Sequence, residues 1–200
     1  MSTTVMPLTT PAERDAAVDA AVKILRAGGL VVFPTDTVYG LAACPTTEGA
    51  LERIYTIKGR KPDKPIARLA ADPEQVEIAH PRLLKLAERH WPGPLTLVVD
   101  GVGYRVPDHE LARALIRAFG AALPTTSANR SGEPDALTAE AALLALPEVD
   151  LILDGGTTPG QIPSTVVGVT DGAATDVEDP MAGLVVFREG AIAKETLLGE

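Results

Sequence analysis

The apolar residues of this chain come in short packets. Leu30–Phe33, Leu95–Val99, Leu151–Leu153, Ser164–Val169 and Leu184–Phe187 are runs of strand length, most of them rich in β-branched side chains. Between them apolar residues recur at helical spacing. Thr10-Pro11-Ala12-Glu13 has the form of a helix start, with Thr as N-cap, Pro at the first turn and Glu three residues on. Val18, Ala21, Val22 and Leu25 follow on one face, and Gly28 closes the run. Further helices are expected over Thr47–Lys58, over 73–91 with an interruption near Pro81, over Asp108–Phe119 and over 138–146. Ile66–Ala70 and Tyr104–Val106 read as short strands. Segments 154–163 and 170–183 read as mobile loops, and the last residues as fraying. Such interleaving predicts an α/β (mixed α+β) fold. One twisted, mostly mixed sheet would be flanked by helices in a single domain over 1–200, with its core over about 15–192.

No apolar run approaches the roughly 18 residues of a membrane span. Met1–Thr10 has neither the basic nor the long apolar region of a secretory signal. The single cysteine, Cys44, can form no internal disulfide, which fits a reducing, cytoplasmic compartment.

Charge narrows the function classes. The net charge is −9, from 18 basic and 27 acidic residues, which argues against a protein that lives by gripping a nucleic-acid backbone. The distribution is uneven. Residues 131–200 hold two basic side chains, Arg188 and Lys194, against 13 acidic ones. Arg53, Lys58, Arg60, Lys61, Lys64 and Arg68 crowd together with Asp63 as the one acid among them. They are either a solvated helix end and loop or an anion site on an otherwise acidic protein.

Familiar catalytic motifs are missing. There is no phosphate-binding G-x-x-x-x-G-K-[ST] loop, no G-x-G-x-x-G after a strand and no G-x-S-x-G elbow. His80, His90 and His109 are scattered and give no zinc spacing. What the chain offers instead are polar segments at the ends of expected strands: Pro34–Gly40, Lys58-Gly59-Arg60 with Lys64-Pro65, Pro124–Gly132, and Pro163-Ser164-Thr165. Ligands of open α/β sheets collect beyond strand ends, and hydroxyls, amides and freed backbone N–H groups suit phosphate and carboxylate oxygens. Each segment taken singly is equally a turn or a helix terminus. Trp91-Pro92-Gly93-Pro94 reads as a structural turn around a packed indole.

In order and spacing these segments resemble the YrdC/Sua5 family. The likeness rests on Phe33–Leu41, Ile57–Arg60 with Lys64-Pro65, Trp91–Thr96, Arg105–His109, Ser127-Ala128-Asn129 with Ser131-Gly132, and Pro163–Val167, and covers roughly residues 15–192. The length is similar to the short, single-domain form of the family. The resemblance implies a YrdC-like fold and a nucleotidyltransferase, threonylcarbamoyl-AMP synthase. That enzyme joins L-threonine, bicarbonate or CO2, and ATP, releases pyrophosphate, and supplies tRNA N6-threonylcarbamoyladenosine modification. It implies Mg2+ accompanying ATP, no metal held by protein side chains, transfer of the product to a separate transferase complex, and at most weak tRNA contact.

By the same resemblance Thr35, Tyr39, Arg105, Thr125 and Ser164 would hold threonine. Lys58, Arg60, Ser127, Asn129 and Arg188 would hold ATP, with Lys58 and Arg60 as the catalytic cations. The chain departs from the family pattern at Gly168, where Asp is frequent, and at Phe187-Arg188-Glu189-Gly190, where Leu-Arg-Pro-Gly is frequent; about ten extra residues lie near 171–182. Two other readings stand beside this one: an RNA-binding or ribosome-associated module of the same fold, and a carbamoyl-adenylate-forming domain with another acceptor.

Overall fold

The computed structural model describes residues 3–169 and 183–198. The first helix, α1 (Pro11–Arg26), begins as its sequence dictates. Thr10 Oγ1 accepts from the Glu13 N–H at 3.2 Å, and the Glu13 carboxylate accepts from the Thr10 N–H at 2.8 Å. Such a reciprocal cap stabilises a helix by about 1 kcal/mol. Ala17, Ala21, Val22 and Leu25 form its buried stripe.

The remaining elements are β1 (Thr4–Pro7), β2 (Val31–Phe33), β3 (Gly40–Ala42), α2 (Ala50–Lys58), β4 (Arg68–Leu69), α3 (Pro81–His90), β5 (Leu95–Val99), β6 (Val102–Arg105), α4 (Glu110–Phe119), β7 (Leu123–Ser127), α5 (Ala139–Ala145), β8 (Leu151–Asp154), β9 (Thr165–Val169), β10 (Leu184–Arg188) and α6 (Lys194–Leu198). Among the described residues the strands form one mixed ten-stranded sheet in the order β1-β8-β2-β3-β7-β4-β6-β5-β9-β10.

Several boundaries differ from the sequence expectation. β1, β3 and α6 are additional. The stretch 73–91 is not one helix: a 3-10 turn at Pro73–Gln75 gives way to extended backbone, and α3 starts only at Pro81, where a proline needs no N–H partner. β7 runs on through Thr125, Thr126 and Ser127, which the sequence suggested lie beyond a strand; their backbones pair with Ala42, Leu41 and Gly40 of β3. Segment 154–163 is a loop but a tethered one. Gly160 and Gln161 donate to the carbonyls of Asp36 and Thr37, Thr158 donates to Leu137, and the Tyr39 hydroxyl bonds Gly155 and Gly156. Of the expected loop 170–183, residues 170–182 lie outside the described residues.

Strand periodicity decides which side of the sheet each residue faces. On one side α2 and α5 cover the β8-β2-β3 end, packing Ala50, Ile54, Ala139 and Ala142 against Val32, Leu41 and Ile152. The same side continues under α3, Trp91 and α6, which cover Leu95, Leu97, Val99, Val106 and Val167. On the opposite side α1 and α4 cover Val31, Phe33, Ala42, Leu69, Leu123, Leu151 and Leu153. From β3 to β10 the rest of that side is a concave surface, and it holds the cavity.

Candidate functional site

The cavity has a volume of about 530 Å³. Its floor is read off strand by strand in sheet order: Gly40 on β3, Thr125 and Ser127 on β7, Ala67 and Leu69 along β4, Gly103 and Arg105 on β6, Thr96 and Val98 on β5, Ser164 and Val166 along β9, and Phe187 and Arg188 on β10. The middle of the floor is built from small residues. A Cβ on Gly103 would lie 3.2 Å from Ala67 Cβ and 3.3 Å from Thr96 Cγ2, and one on Gly40 would lie 2.9 Å from Thr125 Cγ2. Larger residues there would fill the concavity.

Eight of the ten residues expected at the site line this cavity: Thr35, Tyr39, Arg60, Arg105, Thr125, Ser127, Ser164 and Arg188. Lys58 and Asn129 stand behind its wall. Lys58 is the last residue of α2, which ends on Gly59 in the left-handed conformation (φ 61°) that glycine adopts freely. The residue is 3% exposed. The ammonium donates to Ser127 O and Asn129 O at 2.5 Å each and to Asn129 Oδ1 at 3.3 Å. Three acceptors match its three donors. Burial, helped by the neighbouring Arg60 charge and opposed by Asp135, pulls its pKa down to about 8. Ser127 Oγ donates to Asn129 Oδ1 at 2.5 Å, and the Ser131 N–H donates to Lys58 O. The Ser127–Ser131 turn is thus laced to the end of α2.

Arg105 is the buried centre of the other side. Its Nε donates to Gly93 O at 3.0 Å, one terminal nitrogen donates to Thr37 Oγ1 at 2.8 Å, and the other forms a salt bridge with Asp36. The Trp91–Pro94 turn therefore does more than pack its indole, which donates to Leu95 O at 2.7 Å. It also presents the Gly93 carbonyl that fixes Arg105. Thr35 gives its only hydroxyl proton to Val38 O at 2.7 Å, so across the 3.0 Å contact between the two hydroxyls Thr37 Oγ1 donates to Thr35 Oγ1 while accepting from Arg105. Thr125 donates to Leu123 O at 2.9 Å, which leaves its oxygen lone pairs for a guest.

Ser164, Thr96 and Arg188 form the third group. Thr96 Oγ1 and Ser164 Oγ lie 2.8 Å apart, and Arg188 donates to Ser164 O at 2.7 Å and to Ser164 Oγ at 3.3 Å. Arg60 folds back over its own loop, donating to Lys64 O and Pro65 O. Tyr39 has a fully buried residue surface; its hydroxyl donates to Gly156 O at 2.7 Å and accepts from Gly155 N at 3.1 Å, and burial pushes its pKa up to about 12. Its contribution is to hold the loop that leads to Ser164.

The sequence reading missed Thr37, Thr96 and Thr126 as lining residues, together with the apolar floor of Ala67, Val98 and Val166. Thr96 closes the Trp91–Thr96 motif and is the polar position in the alternation Leu95-Thr96-Leu97, but neither signal assigns it a role. Among the described residues no group of three or more His, Cys, Asp or Glu is placed to hold a metal ion. The arrangement can bind anions and orient them; no nucleophile–base pair was legible in the sequence.

Fold and site together define an α/β domain whose mixed sheet, among the described residues, leaves one cation-bearing face without a covering helix. The chain belongs to the Sua5/YciO/YrdC family, whose model, described as "Telomere recombination", matches residues 23–179. The threonylcarbamoyl-AMP synthase of Pyrococcus abyssi is 38% identical over 170 residues, 76% of this chain and 50% of that protein. The synthase of Chromohalobacter salexigens is 36% identical over 171 residues, 76% of this chain and 92% of that protein. The crystal structure of P. abyssi Sua5 complexed with L-threonine superposes with a TM-score of 0.77 at 32% identity, over 95% of this chain and 58% of that one. The chain spans about half the length of several curated relatives, 50–56% for those of P. abyssi and Bacillus subtilis. The family and fold implied by the motifs are borne out.

Proposed function

We propose that this protein forms threonylcarbamoyl-AMP and pyrophosphate from L-threonine, bicarbonate or CO2, and ATP, supplying the threonylcarbamoyl group for tRNA modification. The observation that carries the reading is convergence. Hydroxyls and two guanidinium groups held against polar partners, expected separately from distant motifs, line one cavity, with the Lys58 ammonium bonded to the Ser127 backbone behind the wall. Relatives named threonylcarbamoyl-AMP synthase, including one of nearly the same length, and a related structure holding L-threonine support it.

In this reading threonine lies between Thr35, Tyr39, Thr125, Ser164 and Arg105. The remaining guanidinium N–H groups of Arg105 suit a carboxylate, and the hydroxyls suit the substrate's own. Valine would leave those hydroxyls unpaired and would be rejected. ATP lies along Arg60, Arg188 and Ser127, with Lys58 and Asn129 bracing the Ser127 turn and supplying positive charge from behind. The neutral threonine amine attacks CO2, and the nitrogen releases a proton to water as the carbamate forms. A carbamate oxygen then attacks the α-phosphorus in line and pyrophosphate leaves with its electron pair. Catalysis comes from orientation and charge neutralisation. Mg2+ would accompany ATP and would offset phosphate charge alongside Arg60 and Arg188. The product passes to a separate transferase in the cytoplasm.

The test is product formation. With ATP, threonine and bicarbonate together, threonylcarbamoyl-AMP should be detected by mass spectrometry, and valine in place of threonine should give none. Product from valine, or adenylate formed only with an unrelated acceptor, would overturn the assignment of threonine.

A further inference from the structure

Gly168 and Phe187, both singled out in the sequence, touch each other. β10 carries a register irregularity: Val186 pairs with Val167 but Arg188 pairs with Val166, so Phe187 is the extra residue. Neighbouring residues of a regular strand point to opposite faces, whereas here both Phe187 and Arg188 line the cavity. Bulges of this kind re-aim side chains beside functional sites.

The bulge leaves Phe187 60% exposed as a residue on the cavity wall. The ring lies over β9 at Gly168. A Cβ at that position would sit 2.7 Å from Phe187 Cε2 and 3.1 Å from Val98 Cβ. Gly168 does not have a positive φ. The glycine is therefore not required by the backbone; what it provides is clearance for the ring. Val98 and Val166 continue the apolar surface on the floor, while Arg188 and Arg60 line the same cavity. An open aromatic face beside two cations is the pairing that stacks a heterocyclic base while the charges take phosphates.

Resting on the reading of the cavity as an ATP site, we infer that Phe187 is the platform on which the nucleobase stacks and that Gly168 is the residue that lets the ring lie there. The platform serves the base alone, and the phosphates are held by other groups.

Binding calorimetry with ATP and with inorganic tripolyphosphate, which has no base, separates these contributions. Phe187→Ala should weaken ATP by about tenfold, the loss of one stacked base, and leave tripolyphosphate unchanged. Gly168→Ala, which displaces the ring, should weaken ATP in the same selective way, and adding it to Phe187→Ala should cost nothing further. Unchanged ATP affinity in Phe187→Ala overturns the inference. So does equal weakening of ATP and tripolyphosphate, since the ring would then be acting on the phosphate-binding residues. Additive losses in the double variant overturn the role given to Gly168. If the unaltered protein binds no ATP, the proposed function itself fails.

Discussion

The two ends of the sheet are built by different rules. At the β8-β2 end both faces are covered by helices, and Val31, Val32, Phe33, Ile152 and Leu153 are all fully buried. From β7 to β10 one face packs on α3 and α6 and the other bears the cavity, so apolar residues alternate with Thr96, Gly103, Arg105 and Thr125. A strand buried on both sides has no position to spare for chemistry; a strand buried on one side has every second one. The covered end is scaffold and the half-covered end carries the candidate site.

The largest effect that could break this division concerns Arg105. Replacing it by Met removes one partner of a buried ion pair and strands Asp36, which should lower stability by about 3–5 kcal/mol and abolish product formation. Combining it with Asp36→Asn should restore much of the stability, measured by urea unfolding, and none of the activity. Recovery of activity would show that the pair is scaffold only. Next in size, Ile152→Ala at the covered end should cost about 2–5 kcal/mol. Its KM values, measured well below the unfolding transition, should match those of the unaltered protein.

A third prediction follows from Lys58. Its pKa is lowered in the fold to about 8 from the usual 10.5. Below about pH 8 the buried charge is carried at full cost. Between about 8 and 10.5 the unfolded chain binds more protons than the folded one, so this residue makes stability rise with pH. Affinity for ATP should fall over the same range, because the positive charge behind Ser127 is lost. A pH series in which ATP affinity and stability change in parallel would contradict the role given to Lys58. The smallest effect is expected of Tyr39→Phe, which removes two hydrogen bonds from the Gly155–Gly156 loop. It should cost about 1 kcal/mol and raise the threonine KM severalfold with little change in kcat.

The same division explains what could be read from the sequence. α1 announced itself through Thr10 and Glu13, and β2, β5 and β8 through continuous or alternating apolar runs. β1 and β3 did not, because Thr4-Val5-Met6-Pro7 ends on a proline and Gly40-Leu41-Ala42 carries one large apolar side chain, so neither shows the apolar run that marks β2 and β8. The end of β7 looked like a loop because Thr125-Thr126-Ser127 is polar, and it is polar because it floors the open face. The motif residues were found by their types and order. That Lys58 and Asn129 stand behind the wall, and that Thr37 relays Arg105 to Thr35, depends on how distant segments cross, which local pattern does not encode.

The central claim is that ligands meet only the uncovered face. Amide chemical-shift mapping with ATP and threonine added separately and together tests it directly. The account predicts perturbations at Gly40, Ala67, Gly103, Ser127, Ser164 and Arg188, with α1, α2 and α5 silent along their length apart from the Lys58 end of α2. Dominant shifts along α1 or α5, with the floor of the sheet unmoved, would contradict it.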